Sequence, residues 1–217
     1  MKIDRNSYGS IALVYLVGGC LTAVLMLCIH NPWVRWPLFA LVLLIVAWQT
    51  AFFRVPRRRH NDTPRGVTSV ADGKVVIVER VFEPLYLKRD CIQISVYMDF
   101  FDVHANFWPA SGEITFYQYY PGHHFLAFKP KASEENEHAC VGMRTECGKE
   151  ILFKQLAGGF ARRIVCYARE GASVRGGEQC GIIKFGSRID LFLPTDAQIC
   201  VKKGDQVRAC ETVIATL

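Results

Sequence analysis

Residues 181–194, GIIKFGSRIDLFLP, read as strand almost throughout. Ile182, Ile183, Phe185, Ile189, Leu191 and Leu193 supply the β-branched, aromatic and alternating character of half-buried strands. One step interrupts them: Gly186-Ser187, with Arg188 and Asp190 close behind. Glycine inside such a run marks a bulge or a sharp bend, where the backbone needs freedom a side chain would deny. The second reading is that the Gly186–Ser187 peptide bond is itself a site of chemistry. The pattern alone leaves both open.

The same pattern extends outward. After a polar linker, RRRHNDTPRG (57–66), the domain proper begins near Val67. Strand-like runs such as KVVIVERV, CIQISVYM, GEITFYQYY, CVGMRTE, EILFKQLAG and TVIATL follow at short spacing, separated by Gly, Asp or Pro. This predicts a mainly β fold, a sandwich or barrel of short antiparallel strands. No long segment of it has helical periodicity, and only SEENE (133–137) and LAGGFARR (156–163) suit a short helix. The closing stretch VKKGDQVRACETVIATL resembles the last turn of lipoyl-type modules. VADGKVVIV (70–78) and PASGEITFY (109–117) echo it, which implies lipoyl-like hairpin units.

Residues 1–60 are of another kind. Tyr8–Ile29 carries no charge and as a helix is about 33 Å long, enough for a hydrocarbon core of about 30 Å. HNPWVRWP then breaks the run, and a second uncharged stretch spans Trp36–Phe53. A cleavable signal peptide would not be followed by a second run. The expectation is a transmembrane helical hairpin (8–29 and 36–53), with a re-entrant hairpin as the alternative because the second run is short. Residues 1–60 hold seven Lys/Arg and one acid, whereas 61–217 hold nineteen of each sign. Charge at both ends of the hairpin places them in the cytoplasm by the positive-inside rule. The basic balance is therefore a collar against anionic headgroups, Arg54 and Arg57–Arg59 included, and not a nucleic-acid surface. The expected division is a 1–60 anchor and a 61–217 catalytic domain.

Nine cysteines, none in a CxxC, suit reduced thiols in a cytoplasmic domain better than a disulfide framework. His123, His124, His138 and Cys140 match no zinc spacing, and no metal is expected. Taken singly, Asp72-Gly73 reads equally well as a hairpin turn and His104 as a satisfied buried histidine.

Seven motifs occur in a fixed order: FFRVPRR, SVADGKVV, FFDVHANFWPASGEI, YYPGHHFLAFKPKASEENE, KQLAGGFARRIV, RGGEQCGIIKFGSRIDLFLP and KKGDQVRACETVIA. From about Phe52 to Leu217 this set resembles the phosphatidylserine decarboxylase family in its short, membrane-anchored, pyruvoyl-dependent form. The resemblance implies self-cleavage between Gly186 and Ser187, giving a β chain (1–186) and an α chain (187–217) that stay together as a heterodimer or a higher oligomer. The Ser187 hydroxyl attacks the Gly186 carbonyl. Elimination from the resulting ester and hydrolysis then convert Ser187 into a covalent pyruvoyl group, with loss of ammonia. That ketone forms a Schiff base with the amine of phosphatidylserine in the membrane, and loss of carbon dioxide leads to phosphatidylethanolamine.

By the same resemblance His104 is the base and later proton donor, and Asp72 orients it. Long forms carry a second histidine where this chain has Phe107, and His138 stands where an arginine is common. Arg162 and Arg163 are candidates for the substrate phosphate or carboxylate, though adjacent strand residues point to opposite faces. Phe107 and Trp108 either dip toward the bilayer or pack in the core. An archaetidylserine-type decarboxylase is a sibling reading. A non-enzymatic membrane-tethered β-module is the alternative from another class. A serine hydrolase lacks its GxSxG elbow.

Overall fold

A computed structural model describes residues 2–123, 136–158, 163–184 and 187–217. The chain forms two compact units, 1–56 and 57–217.

In the first unit, β1 (Lys2–Ile3) pairs antiparallel with β2 (Arg54–Val55), which brings the two ends of a helical hairpin together. Between them lie a 3-10 turn (Arg5–Ser7), α1 (Tyr8–Cys28) and α2 (Pro32–Phe52). Both helices are long and apolar enough to cross a membrane. Their leucines and valines are largely exposed, as expected of helices that are apolar all round. Gly18 lets them approach closely, since a Cβ there would meet the Val46 side chain at 2.8 Å. The second helix starts at Pro32 rather than Trp36. The Asn31 side chain accepts from Trp33 N at 3.0 Å, and Pro32 occupies the first helical position, where no N–H is needed. Pro37 lies inside the helix and removes one donor. The helix therefore reaches 21 residues, longer than the uncharged run alone. Trp33 and Trp36 stand exposed at its start, as residues of a membrane interface do.

The named strands of the second unit all pair antiparallel. Its strands are β3 (Gly66–Thr68), β4 (Gly73–Glu83), β5 (Arg89–Met98), β6 (Ala105–Phe107), β7 (Gly112–Tyr120), β8 (His138–Thr145) and β9 (Glu150–Ala157). There follow β10 (Arg163–Cys166), β11 (Ser173–Val174), β12 (Gln179–Lys184), β13 (Ser187–Pro194), β14 (Gln198–Ile199), β15 (Gln206–Val207) and β16 (Val213–Thr216). A curled eight-stranded sheet runs in the order β11-β7-β8-β9-β13-β5-β4-β15. Two three-stranded sheets, β10-β12-β6 and β14-β16-β3, complete the domain. The mainly β expectation is met. The two short-helix candidates overlap residues 133–135 and 159–162, outside the described residues.

One large core joins Val75, Ile94, Met98, Trp108, Phe153, Ile183, Ile189 and Leu191 from these layers. Strand alternation sorts β13 cleanly: Ile189, Leu191 and Leu193 enter that core, while Arg188, Asp190 and Phe192 face the other side. On that second face a cavity of about 400 Å³ is lined by Ile77, Val81, Phe82, Leu85 and Phe192, with His138 and Lys154 at its polar end.

Candidate active site

The interruption in GIIKFGSRIDLFLP is a change of sheet. β12 ends at Lys184 in a three-stranded sheet, and β13 begins at Ser187 in the middle of the eight-stranded one. Phe185 and Gly186 lie outside the described residues; Lys184 ends a strand of one sheet and Ser187 begins a strand of another.

Ser187 is fully buried and paired on both sides, with Met98 of β5 and Ala157 of β9. Its Oγ lies 3.8 Å from Met98 Sδ, a weak acceptor. Asn106 Nδ2 reaches the same sulfur at 3.8 Å, and Asn106 Oδ1 accepts from Gln155 Nε2 at 2.7 Å. Among the described residues, Gln155 Oε1 is buried without a hydrogen-bond partner. Gln155 sits two residues before Ala157, so its side chain and that of Ser187 share one face of the sheet. Ser187 is therefore buried beside two polar side chains, one of which keeps an acceptor unpartnered among the described residues. Asn106 and Gln155 were not among the sequence candidates. The available signal was a polar residue at a core position of a strand, Asn106 within HANFWP and Gln155 within KQLAGG.

His104 immediately precedes β6 and is fully buried. Its backbone carbonyl accepts from Ile183 N at 3.3 Å, and Ala105 pairs with Ile182. It thus lies across from the strand that leads into the Gly186–Ser187 step. Its Nδ1 is 3.0 Å from the Asp102 carbonyl. A carbonyl only accepts, so Nδ1 carries the proton and Nε2 is the basic nitrogen.

Asp72 occupies the turn before β4, mostly buried. Gly73 after it has φ +144°, and a Cβ there would stand 2.1 Å from the Tyr97 carbonyl oxygen, so the turn requires glycine. The backbone is tied to β6 through Phe107 N to Val70 O at 2.9 Å. Among the described residues, the hydrogen bonds of the Asp72 carboxylate go to the Arg58 guanidinium and to Ala209 N, and not to His104. Arg58 was expected in the headgroup collar. Its side chain is instead seated on a carboxylate, which satisfies both charges where water is scarce.

The remaining candidates are placed differently. Phe107 and Trp108 are interior, 3% and 4% exposed, and Trp108 packs edge-on against Phe153 at 5.9 Å. Of their two readings, packing is the one the geometry favours, because a fully enclosed indole has no path to a bilayer. Arg163 is exposed at the start of β10, paired with the buried Lys184 of β12. Arg162 lies outside the described residues, as does His124. His138 is on the opposite face of the large sheet, stacked on Tyr120 at 4.8 Å, with burial pushing its pKa down. All nine cysteines are free thiols.

Comparison with known proteins follows the same motifs. The sequence model of the family described as Phosphatidylserine decarboxylase matches residues 45–215. A protein of Porphyromonas gingivalis named phosphatidylserine decarboxylase proenzyme is 38% identical over 223 aligned positions, covering 100% of this chain and 99% of that one. Proteins of the same name from Amoebophilus asiaticus and Neisseria gonorrhoeae are each 42% identical, over 80% and 93% of this chain and 77% and 76% of their own lengths. With that family model matched over most of its length and such relatives covered along most of theirs, the chain belongs to the phosphatidylserine decarboxylase family.

Proposed function

We propose that this protein is a membrane-anchored carboxy-lyase that converts phosphatidylserine to phosphatidylethanolamine after cleaving its own Gly186–Ser187 bond. One observation carries the reading: a buried serine opens a central strand where the chain crosses between sheets, with a buried histidine across from the approach. The attack needs a small residue before the serine so that the hydroxyl can approach the carbonyl, and glycine meets that need. His104 Nε2 takes the Ser187 proton as the hydroxyl attacks the Gly186 carbonyl, and Asp72 stabilises the resulting imidazolium.

The surroundings of position 187 suit a pyruvoyl group, since the residue is fully buried against Met98, with Asn106 on the same sulfur and Gln155 Oε1 unpartnered among the described residues. Such a group supplies a ketone that captures the substrate amine and takes up the electron pair left by departing carbon dioxide. The protein's part is to exclude water, to hold the head group through Arg163 and Arg162, and to return a proton from His104. Phe107 and Trp108 shape the wall behind it.

After cleavage the α chain stays in place. β13 keeps full ladders to β5 and β9, and β15 and β16 keep theirs to β4 and β3. The hairpin anchors the enzyme, and its basic ends put the catalytic domain at the cytoplasmic face.

The test is intact mass and denaturing electrophoresis of the full-length protein. The expected result is two chains, 1–186 and a small one with a blocked N-terminus, while Ser187→Ala remains one chain without activity. An uncleaved wild-type protein that decarboxylates phosphatidylserine overturns the reading. His104→Ala should slow cleavage and turnover by about a hundred- to ten-thousand-fold per step. A normal rate in both removes His104 from the mechanism.

A further inference from the structure

We infer that Arg58, from the basic linker behind the second apolar helix, is the positioning residue for Asp72. The inference rests on the role proposed above for that carboxylate. Three consecutive arginines, Arg57–Arg59, look alike as a collar, yet they are treated differently. Arg57 and Arg59 are exposed, as alternate positions of an extended segment, and Arg58 turns inward. Its side chain is 10% exposed and that of Asp72 is 11%.

The contact is a two-pronged fork. Nη1 donates to Oδ1, Nη2 donates to Oδ2 at 2.6 Å, and Nη1 also donates to the Ala209 carbonyl at 3.2 Å. Ala209 N donates back to Oδ1 at 2.9 Å. The hydrogen bond to Asp72 pushes the Arg58 pKa up in spite of burial. A carboxylate offers about four acceptor sites. Three are filled here by fixed donors, which sets the plane and rotation of the group and leaves one site, on Oδ2, for a further donor. A planar guanidinium imposes that geometry; an ammonium supplies charge without it.

The same contact joins the two halves of the mature enzyme. Arg58 and Asp72 lie before the cleavage point and Ala209 after it. Asn61 reinforces the junction, its N–H donating to the Cys210 carbonyl at 2.8 Å and its Nδ2 to the Glu211 carbonyl at 3.2 Å. The linker thus positions Asp72 and ties down the α-chain hairpin in one motif.

The experiment compares self-cleavage rates of full-length Arg58→Ala, Arg58→Lys, Asp72→Asn and the Arg58→Ala/Asp72→Asn double variant. Thermal unfolding is followed alongside. Arg58→Ala should cleave on the order of 10- to 100-fold more slowly, the usual effect of a misplaced catalytic group. Arg58→Lys should fall between it and wild type. Because Arg58 acts through Asp72, the double variant should be within about twofold of Asp72→Asn alone. Added guanidinium should partly restore Arg58→Ala and leave Asp72→Asn unchanged. A double variant far slower than Asp72→Asn would reveal a structural role and overturn the inference. So would a folded Arg58→Ala or Arg58→Lys protein that cleaves at the wild-type rate. If Arg58→Ala does not fold, Arg58→Lys decides. If Asp72→Asn itself cleaves normally, the proposed role of Asp72 falls, and this inference with it.

Discussion

Among the described residues of the β domain, two arginine–aspartate pairs are buried, and they are built in opposite ways. Arg188 and Asp190 are two residues apart on β13, both fully enclosed, with Nε–Oδ1 at 2.8 Å and Nη2–Oδ2 at 2.9 Å. Strand pleating alone puts positions i and i+2 on one face, so this pair follows from local sequence. Arg58 and Asp72 are fourteen residues apart, and Ala209, which completes their junction, is 137 residues beyond Asp72. Only the folded domain can assemble it. The local pair sits mid-sheet, on the face of β13 opposite Ser187, where it can hold the strand. The long-range pair sits at a turn, on a residue proposed above to act in the self-cleavage. Proximity in sequence suits a structural ion pair, whereas a junction of three distant segments can serve reaction and assembly together.

The largest effect should come from breaking the local pair. Arg188→Ala removes two charge-assisted bonds from a fully buried carboxylate and should cost about 3–5 kcal/mol. This is best measured by denaturant unfolding in the Ser187→Ala background, so that cleavage does not intrude. Replacing both partners, Arg188→Met with Asp190→Leu, should recover most of the loss. A single variant as stable as its parent would erase the contrast between the two pairs.

A third pair sharpens it. The Glu83 carboxylate is buried, 3.4 Å from Lys154 Nζ, and accepts from Tyr86 N and Leu87 N at 2.9 Å each and from Leu85 N at 3.2 Å. Glu83→Gln should cost about 1–3 kcal/mol, because those N–H groups lose an ionised acceptor. Burial alone would raise the Glu83 pKa, but the bonds from Tyr86 and Leu87 and the charge of Lys154 outweigh it, and the pKa is lowered. A depressed folded pKa stabilises the protein above the ordinary carboxylate value near 4.3 and is lost as pH falls through the folded value. The acid limb of the stability profile should therefore be shallower in Glu83→Gln.

His138 should act in a higher window. Burial lowers its pKa in the folded state. The unfolded chain then takes up the proton first, so stability should fall as pH drops below about 6.5. Urea midpoints at pH 7 and pH 5.5 should differ less in His138→Phe than in wild type; an unchanged difference would exclude this histidine as the cause. The smallest effect is chemical. Burial pushes Cys140 and Cys210 up to about 12 and Cys166 up to about 11. In the folded β domain, maleimide should label the exposed Cys147 and Cys200 and spare these three until denaturation, as read by peptide mass.

Strand content, the apolar hairpin and the strand that Ser187 interrupts were legible in the chain. Each depends on side-chain order over a few residues, and periods of 2 and 3.6 report that order directly. Arg188 and Asp190 stood beside the break without being read as a pair. The start of α2 was legible only in part, because Pro32 and Asn31 can end a helix or begin one. Trp108 could be read as membrane-facing or as core, since an aromatic residue carries no mark of which surface it meets. Three arginines in a row gave no sign that the middle one turns inward.

By itself, then, the amino-acid order determined two units of opposite character, a β domain with a break at Gly186-Ser187, and the motif series of a decarboxylase proenzyme. Those are properties of local pattern and net charge, which need no partner elsewhere in the chain. Tertiary structure alone decided that the break is a crossing between sheets and that Asn106 and Gln155 meet beside Ser187. It also decided that Arg58 reaches Asp72 and Ala209. Each of these joins segments tens to more than a hundred residues apart, and such contacts exist only once the loops between them have closed.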